Sequence, residues 1–291
     1  MIDWVAVALR FATYIDLMLL FGLAARPMRG FASGASAFAW LAALGIALTI
    51  ASFFVSALSM MGHDLSALDR EMLRFFVLET QMGLSAVVRT AALLVILGVL
   101  GLATLGRWLT MSAAIALGSL AWNGHAGASE GASGWLHLAS DIAHLVAGAV
   151  WLGALVQLLR ATGTRLDSRE AVANAIDALS NFARVGTVVV VVLIVSGIAN
   201  LLLIVGIDAL PQSLSMPYGQ LLALKILLFG GMLALAALNR WRLTPRLQQA
   251  SAQGDHDSAA KALRTSLRAE TTLAIFVVAL VALLGTLSPT P

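Results

Sequence analysis

Residues 183–207, with the sequence ARVGTVVVVVLIVSGIANLLLIVGI, form an apolar run in which Arg184 is the one charged side chain. A helix rising 1.5 Å per residue needs about 20 residues to cross a hydrocarbon core of roughly 30 Å, and this run is long enough. Its polarity does not alternate from residue to residue, as it would in a strand of a membrane barrel. The stretch therefore predicts a membrane-spanning helix.

The rest of the chain has the same character. Of its 291 residues 60% are hydrophobic and 11% are charged, and the mean hydropathy is +0.91. A water-soluble domain needs more polar surface than this composition provides. We predict an all-α polytopic membrane protein that forms a single membrane domain over residues 1–291. Eight spans are expected, at about residues 4–25, 38–60, 83–105, 107–124, 135–159, 183–207, 219–239 and 270–288.

The basic residues predict the orientation of the chain. Thirteen of the 18 Lys and Arg residues fall in the loops that follow spans 1, 3, 5 and 7 or at the first two positions of the next span, whereas the opposite loops hold only Arg70 and Arg74. Loops rich in Lys and Arg stay in the cytoplasm, so both termini are expected to face outward; in a bacterial inner membrane, outward means the periplasm. This distribution also accounts for the net charge of +3 without any nucleic-acid partner.

The loop between spans 2 and 3 is predicted to contain a short helix lying on the outer membrane surface. Apolar side chains recur there at helical spacing, and charged residues fall between them. The apolar face of this helix would comprise Leu65, Leu68, Met72, Phe75 and Phe76.

Several classes of function are disfavoured by what the sequence lacks. The absence of cysteine excludes disulfides and thiolate metal sites. No phosphate-binding loop of the ATPase type occurs, so ATP-driven transport is not expected. We find no pairing of a nucleophile with a base, and we therefore do not expect an enzyme.

Residues 124–144, GHAGASEGASGWLHLASDIAH, hold three of the five histidines. His137, Asp141 and His144 are spaced i, i+4 and i+7, so they share one helical stripe, which Gly148 and Trp151 continue. Because polar side chains in a membrane span face the bundle interior, the stripe is expected to lead inward from the outer surface.

The spacing predicts two metal stations along this stripe rather than one. His137 and His144 lie about 10 Å apart along the helix, whereas a ligating imidazole sits roughly 2 Å from its metal. We expect His125 and His137 to meet at the mouth and His144 to form a deeper station. Asp141 is predicted to orient either imidazole from behind, and Trp151 is the second supporting residue.

A softer ligand set precedes the third span. Met60, Met61 and His63 occur together as MMGH at the predicted outer end of span 2. Thioether and imidazole ligands suit Cu(I). Methionine is also a common filler of apolar cores, so a purely structural role stays open.

Charged residues inside the spans have two interpretations. Arg10, Arg89 and Lys225 lie about seven residues from the outer ends of their spans. They either extend to the lipid headgroups or line a hydrated outer vestibule in which they pair with carboxylates. The candidate carboxylates are Asp16, Glu79 and Asp141.

Five segments, taken in order, resemble the CopD family of bacterial copper-resistance and copper-homeostasis inner-membrane proteins. The resemblance covers about residues 120–290 and rests on WNGHA, HLASDIAHLVAGAVWLGAL, NFARVGTVVVVVLIVSGIAN, YGQLLALKILLFGGMLALAALNRWRLTPRL and LRAETTLAIFVVALVALLGTLSP. It implies eight helices, a role in copper uptake and a small periplasmic copper-binding partner of the CopC type. The matched positions are His125, His137, His144, Trp151 and Asn200, with Asn239, Arg240 and Pro245 as a cytoplasmic structural motif.

The sequence thus predicts a protein that takes copper, of unspecified oxidation state, from the periplasm and moves it toward the cytoplasm. Two alternatives stay open. Histidines on neighbouring spans could ligate haem b for electron transfer, with the buried cations neutralising its propionates. The chain could also be a docking platform for a periplasmic copper protein that transports nothing. The oligomeric state is not predicted.

Overall fold

The computed structural model describes residues 3–25, 34–62, 69–100, 105–123, 131–163, 169–253 and 257–288. Their regular secondary structure is helical throughout, without a strand, so the all-α prediction is confirmed for these residues. The helices are α1 Trp4–Ala25, α2 Ala35–Met60, α3 Arg70–Glu79, α4 Gln81–Val99, α5 Leu105–Gly118, α6 Gly131–Gly163, α7 Arg169–Ile204, α8 Leu210–Ser213, α9 Pro217–Leu238, α10 Thr244–Gln253 and α11 Asp257–Leu284.

Seven helices in the described part of the chain are long and apolar enough to cross a membrane. They correspond to the predicted spans 1–3 and 5–8. The predicted fourth span corresponds to α5, which has 14 residues and continues as a 3₁₀ turn, Ser119–Asn123. The count of eight spans and the outward orientation of the termini remain predictions.

Three helices begin well before the predicted spans or continue beyond them. Helix α7 begins at Arg169 and α11 at Asp257, whereas α9 continues through a π-helical turn, Asn239–Leu243, into α10. Their extensions pack together around Leu247, Leu263 and Leu267, which are almost fully buried. Hydropathy marks only the part of a helix that lies in lipid, and for that reason the predicted limits are shorter.

Successive long helices run antiparallel, which gives the bundle two ends. Helices α1, α4, α6 and α9 begin at one end, which we call the proximal end, and α2, α7 and α11 end there. A hydrogen bond from Arg10 Nη1 to the carbonyl of Gly285, 3.1 Å long, joins α1 to α11 at this end. In the predicted orientation the proximal end faces the periplasm.

Helix α3 lies at the proximal end, where a surface helix is predicted. Asp69 caps it by accepting a 2.8 Å hydrogen bond from the backbone N–H of Met72. Phe76 is buried against Phe53 of α2, while Phe75 is 47% exposed. The predicted residues 64–68 of this helix lie outside the described part of the chain.

Helix α1 is at the centre of the bundle and crosses α6 at two glycines. A Cβ atom on Gly153 would lie 2.6 Å from the Cα of Gly22, and a Cβ on Gly22 would collide with the carbonyl of Ala149. Only residues without a side chain allow the backbones to approach this closely. The contact holds α1 against the helix that carries the histidine stripe.

Candidate functional site

A central cavity of about 440 Å³ lies between α1, α6, α7, α9 and α11. All five residues of the predicted stripe on α6 border it, in agreement with the expected inward direction of the stripe. They are His137, Asp141, His144, Gly148 and Trp151. The cavity therefore follows α6 from near its proximal end to its middle.

His144 is held in one orientation by Ser196 of α7. The distance between His144 Nδ1 and Ser196 Oγ is 2.9 Å. The Ser196 hydroxyl has one hydrogen, which it donates to the carbonyl of Val192 over 2.5 Å. In this arrangement the hydroxyl accepts from His144, and Nδ1 carries the imidazole proton. The lone pair of a neutral His144 is then on Nε2, the nitrogen that can bind a metal.

Asp141 lies in a polar cluster with Asn200 and Lys225. Asn200 Nδ2 donates a 3.2 Å hydrogen bond to Asp141 Oδ1, and Lys225 is near enough to both Asp141 and His144 to interact with them electrostatically. The carboxylate offsets the charge of the ammonium group, which would otherwise repel a cation from His144. Asn200 Oδ1 is buried without a hydrogen-bond partner among the described residues and is an available oxygen ligand.

The outer station is only partly within the described residues. His137 is 2% exposed on α6, but its predicted neighbour His125 lies outside them, as does His63. Within the described residues no three His, Asp or Glu side chains are grouped closely enough to hold a metal ion. Ligation by these histidines stays a prediction.

The methionine pair is not part of the central cavity. Met60 is 68% exposed and borders a second cavity, whereas Met61 packs beside the aromatic cluster of Phe53 and Phe76. The structure thus brings neither thioether to His137 or His144.

Two other methionines border the central cavity, and the sequence analysis did not single them out. Met18 of α1 and Met232 of α9 are 8% and 6% exposed. Gly148 makes room for Met18, since a Cβ at that position would lie 3.1 Å from its methyl carbon. Apolar periodicity does not distinguish such a methionine from an ordinary core residue.

A buried carboxylate lies directly beyond the cavity, and the sequence analysis also missed it. Glu270 of α11 is 2% exposed and accepts hydrogen bonds of 2.7 Å from Trp151 Nε1 and 2.8 Å from Asn239 Nδ2. Asn239 begins the π-helical turn, a distortion that is frequent at functional sites. In the sequence, the signal for such a site was a carboxylate, Glu270, at the beginning of the last predicted span.

The remaining intramembrane charges are distributed differently from the expected vestibule. Arg10 borders the central cavity, but Arg89 does not. Asp16 packs against Gly45, and both of its carboxylate oxygens are buried without a hydrogen-bond partner among the described residues. Asp141 is thus the predicted carboxylate that interacts with a buried cation, Lys225.

Comparison with known proteins extends the resemblance over the whole chain. A family profile described as Copper resistance protein D matches residues 176–284, and a second, described as Copper resistance protein D-like, N-terminal domain, matches residues 1–135. Copper resistance protein D of Pseudomonas syringae pv. tomato is 34% identical over 99% of this chain and 97% of its own. Inner membrane protein YebZ of Escherichia coli K12 is 30% identical over 99% and 100%. No solved structure matches.

Proposed function

The chain belongs to the copper resistance protein D family, and from this membership we propose that it binds copper in the central cavity and moves it from the periplasm toward the cytoplasm. It is an inner-membrane protein whose apolar helices lie in the lipid bilayer. On this proposal copper is cargo, and the chain catalyses no covalent reaction.

The observation that carries the proposal is the fixed orientation of His144. Its Nδ1–H is held by Ser196, so Nε2 keeps a lone pair beside a cavity that also contains the unpartnered Asn200 Oδ1. A metal-binding imidazole needs such a hydrogen bond on its other nitrogen, since this fixes both its tautomer and its direction.

The arrangement of ligand types along the cavity supports movement inward. Copper would pass from the proximal His137, with His125 as its proposed neighbour, to His144. Beyond His144 lie the thioethers of Met18 and Met232, which favour Cu(I). The metal donors therefore change with depth from imidazole nitrogen to the softer thioether sulfur. This change favours a weakly hydrated monovalent cation such as Cu(I).

The proposed source of the copper is a small periplasmic protein of the CopC type. Helix α3 lies at the proximal end and exposes Met72, Phe75 and Leu78. This apolar face suits either the outer membrane surface or such a partner. If the chain only docked such a partner and transported nothing, copper would stay outside liposomes that contain the protein.

Copper flux into liposomes tests the proposal. The reconstituted protein should admit copper, and His144→Ala and His125→Ala should each reduce the flux by at least about tenfold through loss of a ligand. His256→Ala is the matched control, because His256 lies in the basic loop after the seventh predicted span, which is expected to face the cytoplasm. Equal flux in all four proteins would contradict the proposal.

An absorption spectrum separates the proposal from haem binding. Bis-histidine haem b needs two imidazoles on opposite sides of the ring, whereas the two histidines within the described residues, His137 and His144, lie on the same helix. We expect purified protein without a Soret band that retains copper after desalting. A strong Soret band lost in His144→Ala would instead assign the cavity to haem.

A further inference from the structure

A second cavity, of about 380 Å³, lies on the opposite side of α1 from the central cavity. It is bounded by α1, α2, α4 and the 3₁₀ turn after α5, and it opens near the proximal end. We call it the basic cavity, because two guanidinium groups border it and no carboxylate does among the described residues. Its polar lining includes Arg10, Ser52 and Arg89.

Arg89 is buried here with neutral partners only. It is 2% exposed, and it donates hydrogen bonds of 3.0 Å to Ser119 Oγ and 2.8 Å to Ser85 Oγ. The Ser85 hydroxyl donates its hydrogen to the carbonyl of Ser119, and the Ser119 hydroxyl donates to the carbonyl of Ala116. Each hydroxyl therefore presents a lone pair to the guanidinium. These bonds fix the position of the charge without neutralising it.

Other donors at this cavity have no acceptor. Arg10 Nη1 donates to Gly285, but Arg10 Nε is buried without a hydrogen-bond partner among the described residues. Ser52 Oγ is in the same situation. Buried donors are almost always satisfied in folded proteins, so an acceptor that belongs to no described residue is expected here.

Because no described residue compensates this charge, an anion is favoured here over water alone. A buried cation in the membrane region costs several kcal/mol unless a counter-charge or bulk water compensates it. The nearest carboxylate along α1, Asp16, packs against Gly45 and does not border the cavity. An anion in the cavity would compensate Arg89 and accept from the free donors together.

We propose that the basic cavity binds a phosphate-class oxyanion between Arg89 and Arg10, with Ser52 as a further donor. A guanidinium offers paired N–H groups whose spacing matches two oxygens of such an anion. The site lies near the end of the bundle, so a phospholipid headgroup and free inorganic phosphate can both reach it. This inference does not depend on copper transport.

Thermal unfolding of purified full-length protein tests the inference. The midpoint is measured in a neutral, phosphate-free detergent, with inorganic phosphate or chloride at equal ionic strength, and with phosphatidylglycerol or a neutral diacylglycerol. We expect a saturable rise with phosphate or with phosphatidylglycerol that chloride and diacylglycerol do not produce. The phosphate arm identifies a soluble anion, and the lipid arm identifies a headgroup.

Variants localise the effect to this cavity. Arg89→Gln should weaken the apparent affinity on the order of 10- to 100-fold through loss of a charge-assisted pair. Arg74→Gln, an exposed arginine on α3 at the same end, should leave it unchanged. If Arg89→Gln does not fold, Ser52→Ala should still weaken binding several-fold. No rise in either arm, or equal rises in Ser52→Ala and wild type, would overturn the proposal.

Discussion

At the scale of single residues, the contact with Ser196 leaves Nε2 of His144 as the nitrogen that would bind copper in the proposed site. Its hydroxyl hydrogen is committed to Val192, and the direction of the bond with the imidazole follows from that. A serine in a helix of valines and leucines is therefore part of the site, although it would not contact copper itself.

Replacing Ser196 with alanine is expected to lower copper affinity by about 10- to 100-fold while the protein stays folded. Without the hydroxyl, His144 can rotate and change tautomer. Ser215→Ala is the control, since Ser215 is exposed and only caps its own turn. Affinity is measured by competition with a coloured copper chelator; equal affinity in Ser196→Ala and wild type would show that the bond does not orient the ligand.

Glu270 is expected to be more important for stability than its single charge suggests. In Glu270→Leu the N–H groups of Trp151 and Asn239 lose their acceptor, which should cost about 2–5 kcal/mol. Glu270→Gln should cost clearly less. The new side-chain carbonyl can still accept from Trp151, and the new amide NH₂ can donate to Asn239 Oδ1 once the Asn239 side-chain amide has flipped. Thermal unfolding in detergent compares the two, and equal losses would refute this account.

The sequence predicts the residues of one helix face better than their partners. His137, Asp141, His144 and Trp151 could be grouped because 100° per residue is a property of a single helix. Ser196 and Glu270 lie on other helices, and their contacts depend on how α7 and α11 cross α6. Crossing geometry is set by side-chain packing, which hydropathy does not encode.

At the scale of elements, the glycine contact between α1 and α6 determines how closely the histidine helix approaches the centre. Gly153→Leu should abolish folded protein, because the new side chain would have to occupy the position of the α1 backbone. Gly230→Leu on α9 is the control, since no atom lies within 4 Å of a Cβ there. Monodisperse yield after size-exclusion chromatography is the measurement, and normal yield of Gly153→Leu would contradict the packing.

Helix limits were predicted well where the helix and its apolar run end together, and poorly where the helix continues into a polar segment. The predicted first span, 4–25, coincides with α1. The predicted sixth, 183–207, misses the beginning of α7 at Arg169, because residues 169–182 are polar on one side. Periodicity rather than mean hydropathy is the signal in such an extension.

At the scale of the whole molecule, the predicted orientation can be tested with little engineering, since the chain has no cysteine. We expect Ala128→Cys to react with a membrane-impermeant maleimide in intact spheroplasts. Gly254→Cys should react only after permeabilisation, because its loop is flanked by most of the basic residues that follow span 7. The opposite labelling pattern would invert the proposed direction of copper movement.

Helix α1 is a wall shared by the two cavities. Arg10 and Tyr14 border both of them, and further along the helix Gly22 is fixed against Gly153. The helix is held at two points, by Gly22 against Gly153 and by the hydrogen bond from Arg10 to Gly285, and the segment between them separates the cavities. A tilt that widens one cavity narrows the other, and two ligands that favour opposite tilts must weaken each other by the same factor.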